Sequence, residues 1–341
     1  MKCITGKYGW LLAISCWLLA VSCSSDGTDE QQTGSILQVM PYTANYQSND
    51  ALSRRAISEG YTPYNPDRDI SIGLFILPDP DEDNPPTAKL IRYNNGVWHS
   101  QAIVKTTTYT IYGYMPKSIE STISQSGDNA QLTLSGIDAV TAEDVCFVTG
   151  VKDTSGDLLQ GSFTYTGKSS DNYVRLLMDH LFASVKFNFS VDADYSALRT
   201  IKLKKMTISS STTAKMDAVI SLTKTTGADP VTSVTYPNSI AGTTSATFFE
   251  SATGEELVAK AETIKGFSCC FAPGLSNDLT LECIYDVYDR KGNKIREDCS
   301  AINKLPNLNA TRGQCVTINM NVAPTYLGQL SDADLEWSID I

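Results

Sequence analysis

Val185-Lys186-Phe187-Asn188-Phe189-Ser190-Val191 puts an apolar side chain at every odd position and a polar one at every even position. A period of two marks a strand with one face on a core and the other in water. The same period returns in Leu279, Leu281, Cys283, Tyr285 and Val287, which alternate with Thr280, Glu282, Ile284, Asp286 and Tyr288. Shorter strand-like runs are Ile70 to Leu77, Tyr109 to Tyr114, Val145 to Val148, Phe267 to Phe271 and Val316 to Val322. Between Leu203 and Met206 the apolar phase slips by one residue, which predicts a bulge. Asn94-Asn95-Gly96, Ser126-Gly127-Asp128-Asn129 and Arg290-Lys291-Gly292-Asn293 read as turns between strands. Helical periodicity is nowhere sustained, and Gly254 to Ile264 offers at most a short helix. Many short strands joined by polar turns predict an all-β protein built from β-sandwiches.

The chain has 341 residues, enough for about two domains. Only 19% of residues are charged and Ser and Thr are abundant, the balance of a secreted β-rich protein rather than a coiled coil or a disordered chain. A formal charge of −11 with no Lys/Arg cluster repels phosphate backbones, so nucleic acid is not an expected partner. Only two histidines, His99 and His180, are present, which rules out three-His metal sites.

Lys2 and Lys7 precede the apolar run Trp10 to Ala20, the pattern of a secretory signal and too short to span a bilayer, which takes about 20 residues. The run closes on Leu19-Ala20-Val21-Ser22-Cys23, which resembles a bacterial lipobox with Cys23 as the lipidated residue. Ala20 stands where Leu is commoner, and an ordinary signal peptide with an incidental cysteine is the alternative. Ser24, Ser25, Asp26, Asp29 and Glu30 then resemble a signal for the outer membrane and the cell surface. The expected segments are a lipoprotein signal peptide over 1–22, an N-terminal propeptide or first-strand segment over 23–55, and β-sandwich domains over 56–168 and 169–341.

Six cysteines remain beyond Cys23, and sequence cannot choose among their pairings. Cys283 and Cys299 flank the Arg290–Asn293 turn, so a disulfide between them is one expectation and small buried thiols the other. No metal site is expected: no C-x₂-C pair occurs, and adjacent Cys269 and Cys270 point to opposite faces of any strand. Asp79 to Pro86 is acidic and proline-rich but lacks the spacing of a calcium loop. No nucleophile elbow, P-loop or H-E-x-x-H is present, and Asp179 beside His180 cannot form a dyad along a strand. Neither catalytic residues nor a cofactor is expected, and the protein is not expected to be an enzyme.

Several stretches together resemble the fimbrillin family of lipoprotein pilus subunits, in its major-fimbrillin-like branch (type V pili of Bacteroides-type bacteria). They are Gly73-Leu74-Phe75-Ile76, Asn94 to Trp98, Tyr112-Gly113-Tyr114-Met115-Pro116, Asp157 to Gly161, His180 to Phe187, and Leu308 to Cys315. Gln160 and Cys315 stand where the family usually carries aromatics. The resemblance implies two transthyretin-like (Ig-like) sandwiches and a structural subunit of cell-surface fimbriae, in the stalk or as an accessory or tip. It also implies assembly by donor-strand exchange: an arginine-specific protease removes the first strand, and another fimbrial subunit's strand replaces it.

Three local features fit that mechanism. Ile36-Leu37-Gln38-Val39-Met40 is strand-like and early in the mature chain. Arg54-Arg55 follows in a polar stretch, with Arg55 the preferred scissile residue and Arg54 the other choice. At the end of the sequence Leu335, Trp337, Ile339 and Ile341 share one strand face, as a donor strand requires, though the same pattern suits the last strand of the chain's own second domain. The expected partners are other fimbrial subunits, the protease and the outer membrane through a lipid anchor. A surface lipoprotein that binds glycans or host ligands is the alternative, with Tyr61, Tyr64, Tyr109, Tyr112 and Tyr114 as stacking platforms.

Overall fold

The computed structural model describes residues 34–48, 60–66, 68–79, 83, 85–152, 162–225, 229–260, 262–263, 269–274, 279–305, 308, 310–324 and 337–340. Strands dominate them, and the one helix among them is the single turn Ala193–Ser196. Asp192 starts that turn by accepting the Asp194 and Tyr195 amides on its carboxylate. The chain is all-β, in several sheets, as its alternation predicts.

The largest sheet has nine strands. Its order runs Tyr61–Pro63, Gln38–Ala44, Tyr173–His180, Cys146–Lys152, Thr108–Met115, Ile70–Leu77, Lys89–Asn94 and Val97–Ser100, with Thr164–Thr166 also paired to Thr108–Met115. Against it lies a second sheet of Glu120–Ser126, Asn129–Asp138, Thr213–Thr223 and Val231–Thr235, with Ser239–Ala241 also paired to Thr213–Thr223, joined by the Gln125 amide donating to the Tyr112 hydroxyl at 3.2 Å. A third, seven-stranded sheet centres on Ala183–Val191 and Gln314–Pro324. It packs on the fourth, Thr244–Leu257, Thr200–Ser210, Leu279–Tyr288 and Lys294–Lys304, through Phe187 against Phe248 at 5.7 Å. Sheet faces sealed on one another in this way bury alternate side chains of each strand. Val185, Phe187, Phe189 and Val191 are accordingly all in the core, while Lys186 stays exposed.

Pairing crosses residues 168/169 more than once. Tyr173–His180 pairs with Cys146–Lys152, and Asn129–Asp138 pairs with Thr213–Thr223. The seven-stranded sheet likewise takes in Gln47–Ser48 and Val140–Thr141, so both sheet pairs draw strands from both halves of the sequence.

The bulge sits where the phase slip places it. Register shifts between Leu203 and Lys205 on both neighbours, and the Lys204 ammonium meets Asp298 and lies near the buried Asp286. The Gly254 to Ile264 helix does not form: the strand Thr244–Leu257 runs through its first part, and Glu262–Thr263 is a short strand. In the hairpin after Tyr288, Ala301 lies opposite Cys283, and Tyr285 opposite Cys299. The two cysteines are diagonal neighbours, about 7–8 Å apart at Cα, beyond the usual disulfide range. Both are free thiols.

Candidate functional site

The first strand-like segment of the chain is built into the body of the protein. Gln38–Ala44 lies between Tyr173–His180, to which it runs parallel, and the three-residue strand Tyr61–Pro63, to which it runs antiparallel. Among the described residues every other pairing in the nine-stranded sheet is antiparallel, so this pairing is the exception in direction. Its inward side chains alternate: Leu37, Val39, Pro41 and Thr43 are buried, while Gln38 and Met40 are exposed. Leu37 and Val39 are about as enclosed as any core residue, and their burial contributes roughly 1.5–3 kcal/mol each.

Both ends of the segment are tied down by main-chain bonds. The Leu37 amide donates to the Ala102 carbonyl and Gln38 to Asn172, each at 2.8 Å. Beyond Ala44 the chain crosses to the seven-stranded sheet, where Gln47–Ser48 runs parallel to Gln314–Cys315. The other end of the same edge, Asn321 to Pro324, pairs antiparallel with Trp337–Asp340. The edge of Gln314–Pro324 is thus shared by the tail of the N-terminal segment and the last described strand.

A polar cluster fastens the crossing point. His180 is buried, and its Nε2–H donates to the Ala44 carbonyl at 2.6 Å. Its Nδ1 faces Asp144, with Oδ2 at 2.8 Å and Oδ1 at 3.1 Å. The Tyr46 ring stacks on the imidazole at 3.6 Å, and its hydroxyl donates to Asp144 Oδ1 at 2.8 Å. Burial, with Cys270 and Asp144 alongside, pushes the Tyr46 hydroxyl well above its ordinary range, so it stays a donor. One residue back, Asp179 accepts from the Tyr61 hydroxyl at 2.9 Å and lies 3.5 Å from the Arg312 guanidinium. Asp179 and His180 do face opposite ways, as strand geometry demands. The carboxylate partner of His180 is instead Asp144, which nothing in the local sequence marks.

The remaining residues singled out from sequence fall elsewhere. Trp337 and Ile339 lie within the paired strand Trp337–Asp340. Cys23, Arg54, Arg55, Leu335 and Ile341 lie outside the described residues. His99 is exposed on a hairpin opposite Arg92. Tyr109, Tyr112 and Tyr114 are core residues with no free face for a sugar. In the acidic loop, Lys89 lies 3.0 Å from Asp79 and 3.3 Å from Asp83, so an ammonium already stands among these carboxylates.

No protein-family model and no curated protein matches this chain. Solved structures similar to it include a chain named for cell adhesion from Bacteroides ovatus ATCC 8483, at 14% identity and TM-score 0.38, covering 90% of this chain and 97% of that one. Another, named likewise, is from Bacteroides fragilis NCTC 9343, at 14% identity and TM-score 0.39, covering 90% and 98%. A fimbrial protein from Bacteroides vulgatus ATCC 8482 aligns at 10% identity and TM-score 0.33, covering 89% and 98%. At these scores the likeness adds nothing to what the strand pairing itself shows.

Proposed function

We propose that this protein is a structural subunit of cell-surface fimbriae, held at the outer membrane by lipid on Cys23 as a precursor and assembled by strand exchange once the N-terminal segment is removed. The role is non-enzymatic. The observation that carries it is Gln38–Ala44: a strand from the start of the chain, parallel in an otherwise antiparallel sheet, with its apolar side chains in the core. Arg54-Arg55 lies in sequence between this strand and Tyr61–Pro63. Cleavage after Arg55 severs the covalent link of the segment without cutting any other strand of the sheet.

Departure of residues up to Arg55 exposes the edge of Tyr173–His180 and, in the seven-stranded sheet, frees the Gln314–Cys315 end of Gln314–Pro324. An open edge lined by vacated apolar pockets binds an added strand by main-chain hydrogen bonds and alternate side chains. Leu335, Trp337, Ile339 and Ile341 have the period of Leu37, Val39, Pro41 and Thr43 and are bulkier at most positions. Four such side chains supply roughly 6–12 kcal/mol gross before ordering costs. N-terminal sequencing of surface fibres tests the proposal: mature chains should begin at Ala56, and chains beginning ahead of it count against cleavage here.

A further inference from the structure

We propose that Asp144, Cys146 and His180 bind one zinc-class divalent cation, with Cys270 as the fourth ligand. One carboxylate oxygen, one sulfur and one imidazole nitrogen converge here, all within 4.8 Å of one another. Cys146 Sγ lies 3.5 Å from His180 Nδ1. Ligands at the usual Zn–S and Zn–N distances on a tetrahedral ion stand about 3.5 Å apart. The carboxylate sits closer to Nδ1, at 2.8 and 3.1 Å, and needs to withdraw only by a few tenths of an ångström to reach about 3.3 Å.

The surroundings orient the imidazole as they do in metal sites. A ligating histidine usually donates its other N–H to a carbonyl or carboxylate, which fixes the tautomer. His180 does so through Nε2–H to the Ala44 carbonyl at 2.6 Å. In the neutral ring Nδ1 then presents a lone pair to a carboxylate and a sulfur, so a positive species must sit among the three groups. A proton can do this, and so can a metal ion. Sulfur with nitrogen selects zinc-like ions over calcium or magnesium, which take oxygen ligands.

Cys270 completes the set. Its Sγ is 3.9 Å from Asp144 Oδ1 and 3.3 Å from the Tyr46 hydroxyl, at the rim of the three converging groups. Without a cation, burial and the neighbouring Asp144 keep the Cys146 thiol protonated, well above its ordinary range. Cation binding therefore releases the Cys146 thiol proton. Cys146 and His180 are paired in the nine-stranded sheet, whereas Cys270 belongs to the seven-stranded sheet. The ion staples one sheet to the other beneath Tyr46. The site stands on its own geometry and does not depend on strand exchange.

Cobalt(II) titration of the full chain, purified in reductant and stripped by a chelator, tests this. One equivalent should produce a near-ultraviolet thiolate-to-cobalt band and intense visible bands of tetrahedral cobalt, both abolished by added zinc. Cys146→Ser and Cys270→Ser should each weaken binding by at least about tenfold and reduce the thiolate band, whereas Cys299→Ser should leave both unchanged. A wild-type chain that gives no bands and retains no metal overturns the proposal, leaving a cluster held by protons alone. Undiminished bands in Cys146→Ser overturn it as well. Should Cys146→Ser fail to fold, the wild-type stoichiometry and Cys270→Ser decide the matter.

Discussion

Gly113 sits where two strands of the nine-stranded sheet touch, and a Cβ added there would lie 2.8 Å from the Gly73 carbonyl oxygen. Backbone cannot give way as a flexible side chain can. Gly113→Ala should therefore lower stability by about 1–3 kcal/mol, measured by equilibrium denaturation. Its neighbours Tyr112 and Tyr114 are fully buried, so the Tyr112-Gly113-Tyr114 pattern is a packing device. The types of these residues are legible in the sequence, but the contact that requires them is not. His180 makes the same point more sharply. Its burial follows from alternation on Tyr173–His180, yet its partner Asp144 lies 36 positions away, just ahead of a strand, where no period operates. Cys270 is more distant still. A cluster drawn from such segments exists only once the sheets are assembled.

At the scale of elements, period-two runs are faithful wherever the strand is regular, and irregular strands hide. The hairpin of Leu279–Tyr288 and Lys294–Lys304 was visible from its alternation and its turn, where Gly292 takes φ +80. Thr244–Leu257 was not visible, because register jumps from Glu250 to Glu255 across a bulge and Gly254 takes φ +72 against Lys202. Helix-favouring Glu255 and Glu256 then compete locally with the sheet and lose to its pairing. Asp286 stabilises this region. Burial raises its carboxyl pKa, but the Asp298 amide, Lys294 and Lys204 outweigh that and hold it below the usual range. A depressed carboxylate stabilises the fold above the unfolded-state value, about 3.9, and that contribution disappears as pH falls through the lower folded value. Melting temperature should thus drop on acidification below about pH 4, and Asp286→Asn should flatten that drop while lowering stability at neutral pH. The N-terminal strand offers another test. Leu37→Ala removes a core side chain from the segment alone, at a cost of about 2–5 kcal/mol. Amide hydrogen exchange over Gln38–Ala44 should accelerate relative to Ala183–Val191, while equal acceleration of both strands would mean that the segment does not open by itself.

For the molecule as a whole, the arrangement that matters is a strand from the beginning of the chain lying between strands from later parts of it. Class and periodicity were readable because they are local; the order of strands in a sheet is not. That Gln38–Ala44 should pair with Tyr173–His180, in parallel, depends on where the chain returns after more than a hundred residues. The segment bridges two sheets, through Gln38–Ala44 in one and Gln47–Ser48 in the other, so its removal alters both together. The most direct test is cleavage of the purified chain with an arginine-specific protease, followed by intact-mass analysis and sedimentation of the products. Loss of the peptide ending at Arg55 should coincide with conversion of monomer into ladders of multimers, and a variant truncated before Leu335 should trim equally but fail to multimerise. Trimmed chains that lose the segment and sediment as monomers at every concentration would contradict assembly by shared strands.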